Sequence, residues 1–224
     1  MTIGADARPQ LADEVAAHLR GAIMSGRLRP GRFIRLEEVA RELGVSATPV
    51  REALVALRGE DLVDLEPRRG YVVNPLTEQD VRDVFWLQSG IAGELAARAA
   101  AKATPDDLAR LRALDADLAE ATRAVDTAAV ERREFEFHRA VNLVADARKL
   151  SWFLNSATRY TPAGVYSSDP AWRDRTAAHH AALLTALAAG DATGARAAMA
   201  RHFTDGADRL IAHLAGLGVW ADRD

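Results

Sequence analysis

The 224-residue chain contains no cysteine. That excludes disulfide scaffolds, thiolate zinc sites and thiol nucleophiles, so any metal must be held by His, Asp or Glu. Aromatic residues are few, at 6%. No apolar run approaches the ~18 residues that a membrane helix needs, so no membrane partner is expected. The opening stretch MTIGADARPQ lacks a basic start followed by an apolar core. A signal peptide is therefore not expected, and the cytoplasm is the expected location. A strong excess of one charge is also missing, since the net charge is −3. Nucleic-acid binders usually present a basic surface, so the total alone argues weakly against one. The distribution is more informative. Residues 1–75 hold 11 Arg and 11 acidic residues, and the remainder carries the whole −3. Arg27, Arg29, Arg32 and Arg35 follow one another with no acid between them.

What is present in quantity is alanine, 47 residues, with Leu, Arg and Glu. Alanine is the best helix former, so the chain is expected to be mainly α. An initial helix is expected over Leu11–Ser25, with Leu11, Val15, Ala16, Leu19 and Ile23 on one stripe. Leu36, Val39, Ala40 and Leu43 give a short amphipathic helix that Gly44 ends. Ser46 suits the N-cap of a third helix, whose buried stripe is Val50, Ala53, Leu54 and Leu57. Two β-prone runs, 62–65 and 71–73, flank a Pro/Gly turn at 66–70 and predict a hairpin. Asn74-Pro75 marks a boundary between domains at 1–75 and 76–224. Thr77 with Asp80, and Thr104 followed by Pro105, start two long helices. Further helices are expected near 126–145, 147–158, 171–189 and 192–216, with 161–170 as a loop. The second domain thus reads as an all-helical bundle of six helices.

Short helix, tight turn, second helix and hairpin together describe a winged helix-turn-helix. Its second helix enters the major groove of double-stranded DNA. Opposite the buried stripe lie Ala47, Thr48, Arg51, Val55 and Arg58. Ser46 and Thr48, with the free N–H groups of a helix start, suit a phosphate. Arg51 reaches a guanine edge or a phosphate, and Arg68-Arg69-Gly70 puts two cations at the wing tip. The alternative is a winged helix that binds protein, with Arg51 solvated beside Glu52.

The run PGRFIRLEEVARELGVSATPVREALVALRGEDLVDLEPRRGYVV resembles the signature of the GntR family of bacterial transcription regulators, most specifically in GVSATPVREAL. The resemblance implies a homodimer reading a short palindromic operator. By matching position it makes Thr48, Arg51, Arg69 and Gly70 contact candidates. Ala47 stands where many relatives have Arg, and its methyl suits a thymine methyl. Arg35 stands where relatives often have a Ser or Thr cap, and offers a phosphate contact instead.

Six histidines are present: His18, His138, His179, His180, His202 and His213. Glu134 and His138 are four residues apart and share a helix face, as chelation requires. His180 and His202 fall on the last two helices, inward if Leu183, Leu184, Leu187 and Met199 form core. One carboxylate and several imidazoles lining a bundle make a divalent-metal site. His18 and His213 have no partner pattern. Residues beyond 75 resemble the FCD effector domain of FadR-type GntR regulators, which implies metal binding through an Asp-x-x-x-His pair and two later histidines. Glu134-Phe135-Glu136-Phe137-His138 matches the pair with Glu for Asp, and His180 and His202 match the other two. His179 points elsewhere on its helix. Gln88 and Ala92 stand where relatives carry Arg and Glu, which bears on whether the effector is an acid.

The metal is expected to be zinc, with nickel and manganese as alternatives. The function expected is a metabolite-responsive regulator, a repressor released by a small organic effector, of which carboxylates are one class. The effector site residues are open. Trp86, Trp152, Tyr160, Tyr166 and Trp172 are either cavity lining or, more simply, core. Two alternatives stand beside this one: a metalloenzyme using the Glu/His site, and a regulator of the same fold without metal. No HExxH motif or nucleotide loop supports an enzyme, and no catalytic residue is assigned.

Overall fold

A computed structural model describes residues 7–220. Most of the segment read for a signal peptide lies outside those residues. The chain divides into two compact units. The first holds residues 1–78 with 159–162 and 214–224, and the second holds 79–158 with 163–213.

In the first unit, α1 (Ala7–Met24), α2 (Leu36–Leu43) and α3 (Ala47–Gly59) accompany strands β1 (Phe33–Ile34), β2 (Val63–Glu66) and β3 (Gly70–Val73). The hairpin is as expected, but the sheet has a third strand that the sequence reading missed. Its order is β1-β3-β2, antiparallel throughout, with Ile34 opposite Tyr71 and Leu65 also opposite Tyr71. β1 is two residues long, too short for an alternation to register. Val15, Leu19 and Ile23 of α1 are buried, as are Val50, Leu54 and Leu57 of α3, and α1 packs on α3. Truncating a side chain such as Leu54 to Ala should cost about 2–5 kcal/mol. Gly44 closes α2 at φ 66°, a left-handed conformation that disfavours side chains with a Cβ. Val45 N–H then bonds back to the Ala40 carbonyl at 2.9 Å, and the chain turns directly into α3.

One buried charge was not anticipated. Arg20 is 1% exposed and grips both Glu60 oxygens, at 2.6 and 2.7 Å. Tyr160 hydrogen-bonds the same carboxylate, and Arg159 lies 3.9 Å from it. Burial raises the Glu60 carboxyl, but the Arg20 hydrogen bonds and charge outweigh it, and the net shift is downward.

The second unit is built from α4 (Glu78–Lys102), α5 (Pro105–Arg123), α6 (Thr127–Ala145), α7 (Arg148–Thr158), α8 (Ala163–Ser167), α9 (Pro170–Ala188) and α10 (Ala192–Gly216). The 161–170 segment is therefore not all loop, since one helical turn sits inside it. Pro162, Gly164, Ser167, Ser168 and Pro170 are turn residues that hide so short a helix. α5, α6 and α9 start where side chains satisfy first-turn N–H groups. Thr104 and Asp107 form a reciprocal capping box on α5, Asp126 caps α6 and Asp169 caps α9. α5 packs on α6 and α9, and α8 packs on α6 and α9. These contacts bring α6 and α9 into one core.

Candidate metal centre and nucleic-acid interface

In the first unit, α3 presents the face that the sequence predicts. Val50, Ala53, Leu54 and Leu57 are buried, whereas Thr48, Arg51 and Arg58 are exposed, Ala47 is half-buried and Val55 is 59% exposed. Ser46 is the N-cap residue of α3, yet its side chain makes no capping hydrogen bond. Ser46 is itself exposed, and the first N–H groups of a helix have no partner within it. Arg35 likewise occupies the N-cap position of α2 without capping it, and its guanidinium lies 3.7 Å from Glu38. The wing turns through Pro67 and Arg68, the latter at φ 66°, as the inner positions of a type II turn require. Gly70 follows at φ 101°. Arg69 folds back, 2.9 Å from Glu66 and 4.3 Å from the centre of the Phe33 ring. Ser46, Ala47, Thr48 and Arg51 thus share one helix end, while Arg35, Arg69 and Gly70 sit at other points of the same unit.

In the second unit, α6 carries Glu134 and His138, α9 carries His180 and α10 carries His202. One ligating atom from each of these four lies within 4.8 Å of the others. The Glu134 carboxylate is the hub. Its Oε1 is 3.1 Å from His138 Nε2 and 3.3 Å from His202 Nε2, and its Oε2 is 3.6 Å from His180 Nε2. Neighbouring ligands around a tetrahedral zinc with ~2.0 Å bonds stand about 3.3 Å apart. The side chains are well buried, at 15%, 18%, 1% and 10% exposure for Glu134, His138, His180 and His202.

Three buried polar atoms in this cluster have no hydrogen-bond partner: Glu134 Oε2, His180 Nε2 and His202 Nδ1. An unsatisfied buried polar group costs about 1–3 kcal/mol, so such a group in a native core calls for an explanation. Glu134 Oε2 and His180 Nε2 face each other across a gap too long for a hydrogen bond. A cation there satisfies both, and the donor set of three imidazoles and one carboxylate fits a divalent metal.

The electrostatics agree with that geometry. Burial pushes the Glu134 carboxyl up, but the His180 charge, with the hydrogen bonds of His138 and His202, holds it well below the usual carboxylate range. Burial lowers His180, yet Glu134 and Asp115 bring it up to about 9. Burial dominates at His202 and takes it down to about 4. One proton shared toward Glu134 thus does in part what a cation would do.

Several neighbours were not foreseen. His180 Nδ1 is 3.0 Å from Asp115 Oδ1 on α5, and Phe137 stacks on the His180 ring at 3.9 Å. Asp115 falls on the stripe of the buried Leu111 and Leu118, so a carboxylate on an apolar face was the available signal. His179 is not among the converging ligands; it pairs with Asp205 at 3.3 Å and meets the His202 ring edge-on at 5.8 Å. Gln88 is buried and donates to the Ala157 carbonyl at 2.9 Å. Tyr166 and Trp172 are core, but Trp86 and Trp152 are 77% and 59% exposed, contrary to the core expectation for them. Tyr160 sits on the Arg20–Glu60 pair.

Comparison with known proteins places both units. Residues 11–73 match the family model described as bacterial regulatory proteins, gntR family, and residues 83–205 match the FCD domain. A protein of Escherichia coli K12 assigned as an L-lactate dehydrogenase operon regulatory protein is 30% identical, with 87% of this chain and 84% of that protein covered. A D-xylose utilization operon transcriptional repressor assigned in Paenarthrobacter nicotinovorans is 32% identical over 87% of this chain and 86% of its own length. An uncharacterized HTH-type regulator of Mycobacterium tuberculosis is 32% identical, but the match spans 58% of this chain and only 52% of that relative. Among solved structures, E. coli McbR/YncC shares the fold with a TM-score of 0.68 at 24% identity, covering 89% of this chain and 96% of the other. A GntR regulator structure from Rhodococcus sp. RHA1 gives 0.60 at 24% identity, covering 90% and 97%.

Proposed function

We propose, from the premise that this chain belongs to the GntR family of bacterial DNA-binding transcription regulators with an FCD domain, that it is a metal-dependent repressor released by a small organic effector. The division of labour runs at about residue 75: residues 1–75 read DNA, and residues 76–224 hold metal and effector. The observation that carries the reading is the convergence of Glu134, His138, His180 and His202 with three buried atoms lacking partners. Zinc suits this nitrogen-rich set with one carboxylate, ahead of nickel or manganese. When bound, the metal would supply a Lewis-acidic charge, and a carboxylate effector would reach it only as a ligand additional to the four side chains.

On the DNA side, Ser46 and Thr48 with the start of α3 hold a phosphate, and Arg51 reaches a base edge one turn in. Ala47 offers a methyl contact, Arg35 a second phosphate contact, and Arg69 with Gly70 the wing contact. Effector binding regulates only if the effector binds the DNA-competent and DNA-incompetent states with different affinity. A palindromic operator requires two copies. Trp86 on α4 and Trp152 and Phe153 on α7, exposed at 77%, 59% and 53%, are apolar side chains left for a second copy of the chain to cover. Among the described residues no helix is long and apolar enough to cross a membrane.

Elemental analysis of the purified full chain tests the reading. About one divalent metal per chain is expected. Its removal by chelator should lower the melting temperature by about 5–10 °C, as loss of a ligand held at ~100 times its Kd implies. No stoichiometric metal and no chelator effect would refute the metal site while leaving the DNA-binding assignment intact.

A further inference from the structure

We propose that Asp115 is a positioning residue for the His180 ligand, holding its ring so that Nε2 faces the metal. The inference rests on the metal reading of the cluster and extends it to a residue outside the four ligands. His180 is 1% exposed, so water cannot orient its ring. Its Nδ1 donates to Asp115 Oδ1 at 3.0 Å, and its Nε2 points at Glu134 Oε2, 3.6 Å away, without a hydrogen-bond partner. The Phe137 ring lies flat against the imidazole, 3.9 Å between centroids at 16°. Two independent constraints thus fix the ring plane and the direction of its lone pair. Asp115 keeps the proton on Nδ1, which reserves Nε2 for the cation and makes it a stronger donor.

His202 does not share the arrangement. His202 is 10% exposed, and its Nδ1 has no hydrogen-bond partner. Asp117, two residues beyond Asp115, lies 3.8 Å from Arg133. A general acidic surface on α5 does not account for the Asp115 contact, because Asp115 occupies the buried Leu111–Leu118 stripe and is itself only 29% exposed.

The test is competition titration of Zn²⁺ against a chromogenic chelator, using the full chain with Asp115→Ala, Asp115→Asn and Asp117→Ala. Losing this hydrogen bond should weaken Zn²⁺ binding about 10–100-fold in Asp115→Ala. Asp115→Asn, which keeps an oxygen acceptor without the charge, should lose less, and Asp117→Ala should match the unaltered chain. A second readout does not need metal. In ¹⁵N-histidine-labelled protein, a slowly exchanging His180 Nδ1 proton is expected in the unaltered chain and in Asp115→Asn. It should vanish in Asp115→Ala. If Asp115→Ala fails to fold, Asp115→Asn and this proton still decide the matter. Absence of Zn²⁺ uptake by the unaltered chain overturns the metal reading. Normal uptake with less than about threefold loss in Asp115→Ala overturns the Asp115 assignment alone.

Discussion

Titrating His180 in the metal-free protein gives a sharp test of the buried cluster, because metal and proton compete for the same atoms. His180 is brought up to about 9 from an ordinary 6.5. A group whose folded pKa is raised stabilises the fold fully below its unfolded value and loses that contribution as pH climbs through its folded one. The difference corresponds to about 3 kcal/mol, present at pH 6 and gone above pH 9. Glu134 works in the opposite sense. Its folded pKa is depressed, so the same ion pair holds above about 4.5 and fails only as acid reaches its lowered value. The pair is thus complete near pH 4.5–6.5 and must be counted once. Scanning calorimetry of the chelated full chain should show the helical unit melting about 6–12 °C lower at pH 9.5 than at pH 6 from this pair. Metal affinity should move the other way, gaining about tenfold per pH unit from 7 to 9 as His180 gives up its proton. Glu134→Gln removes the countercharge and should flatten the metal-free profile. If it retains the slope, or if the unaltered chain shows none between pH 6 and 9.5, the Glu134–His180 pairing is refuted.

Three further predictions concern other surfaces. Arg51→Ala should weaken operator binding by about 1–3 kcal/mol in fluorescence anisotropy, as for a base contact, without changing the melting temperature; unchanged affinity and salt slope would remove Arg51 from the interface. Arg20→Ala should destabilise the first unit by about 3 kcal/mol in denaturant titration, since it strands a half-buried Glu60 carboxylate. The loss should shrink below pH 4.5 as Glu60 protonates, its pKa being held down by Arg20. Trp86→Glu should shift the full chain from dimer to monomer in light scattering and weaken palindrome binding more than half-site binding; a dimer of unchanged stability would place the contact elsewhere.

Much of the fold was legible because its signals are local. Leu36, Val39, Ala40, Leu43 and Gly44 announce a helix and its end within nine residues, and Ser46 the start of the next. Thr104 and Pro105 signal the start of α5, while the reciprocal bond to Asp107 belongs to the folded helix. What escaped is either too short or depends on distant partners. β1 has two residues and exists only because β3 pairs with it. α8 is a single turn between prolines. Arg20 stands on the Ala16–Met24 stripe and reads as a flaw in it until Glu60 and Tyr160 arrive from 40 and 140 residues further along the chain.

The candidate site divides along the same line. Glu134 and His138 are joined by helix geometry, so their shared face follows from a spacing of four. His180 and His202 are joined to them only by packing of α6, α9 and α10, which local periodicity cannot supply; there the family resemblance carried the reading. Neither source pointed to Asp115. A carboxylate between two buried leucines looks like a mistake in an amphipathic pattern, and patterning arguments discount such mistakes. Yet a polar group on an apolar stripe costs stability unless it is hydrogen-bonded, and Asp115, 29% exposed, has its partner in His180 Nδ1 at 3.0 Å. Exposed aromatics tell the converse. Trp86 and Trp152 look like core in composition, but 77% and 59% of their surface stays exposed in one chain. The residues that break the pattern, charge inside and aromatic outside, are therefore where this chain's chemistry and its assembly are to be sought.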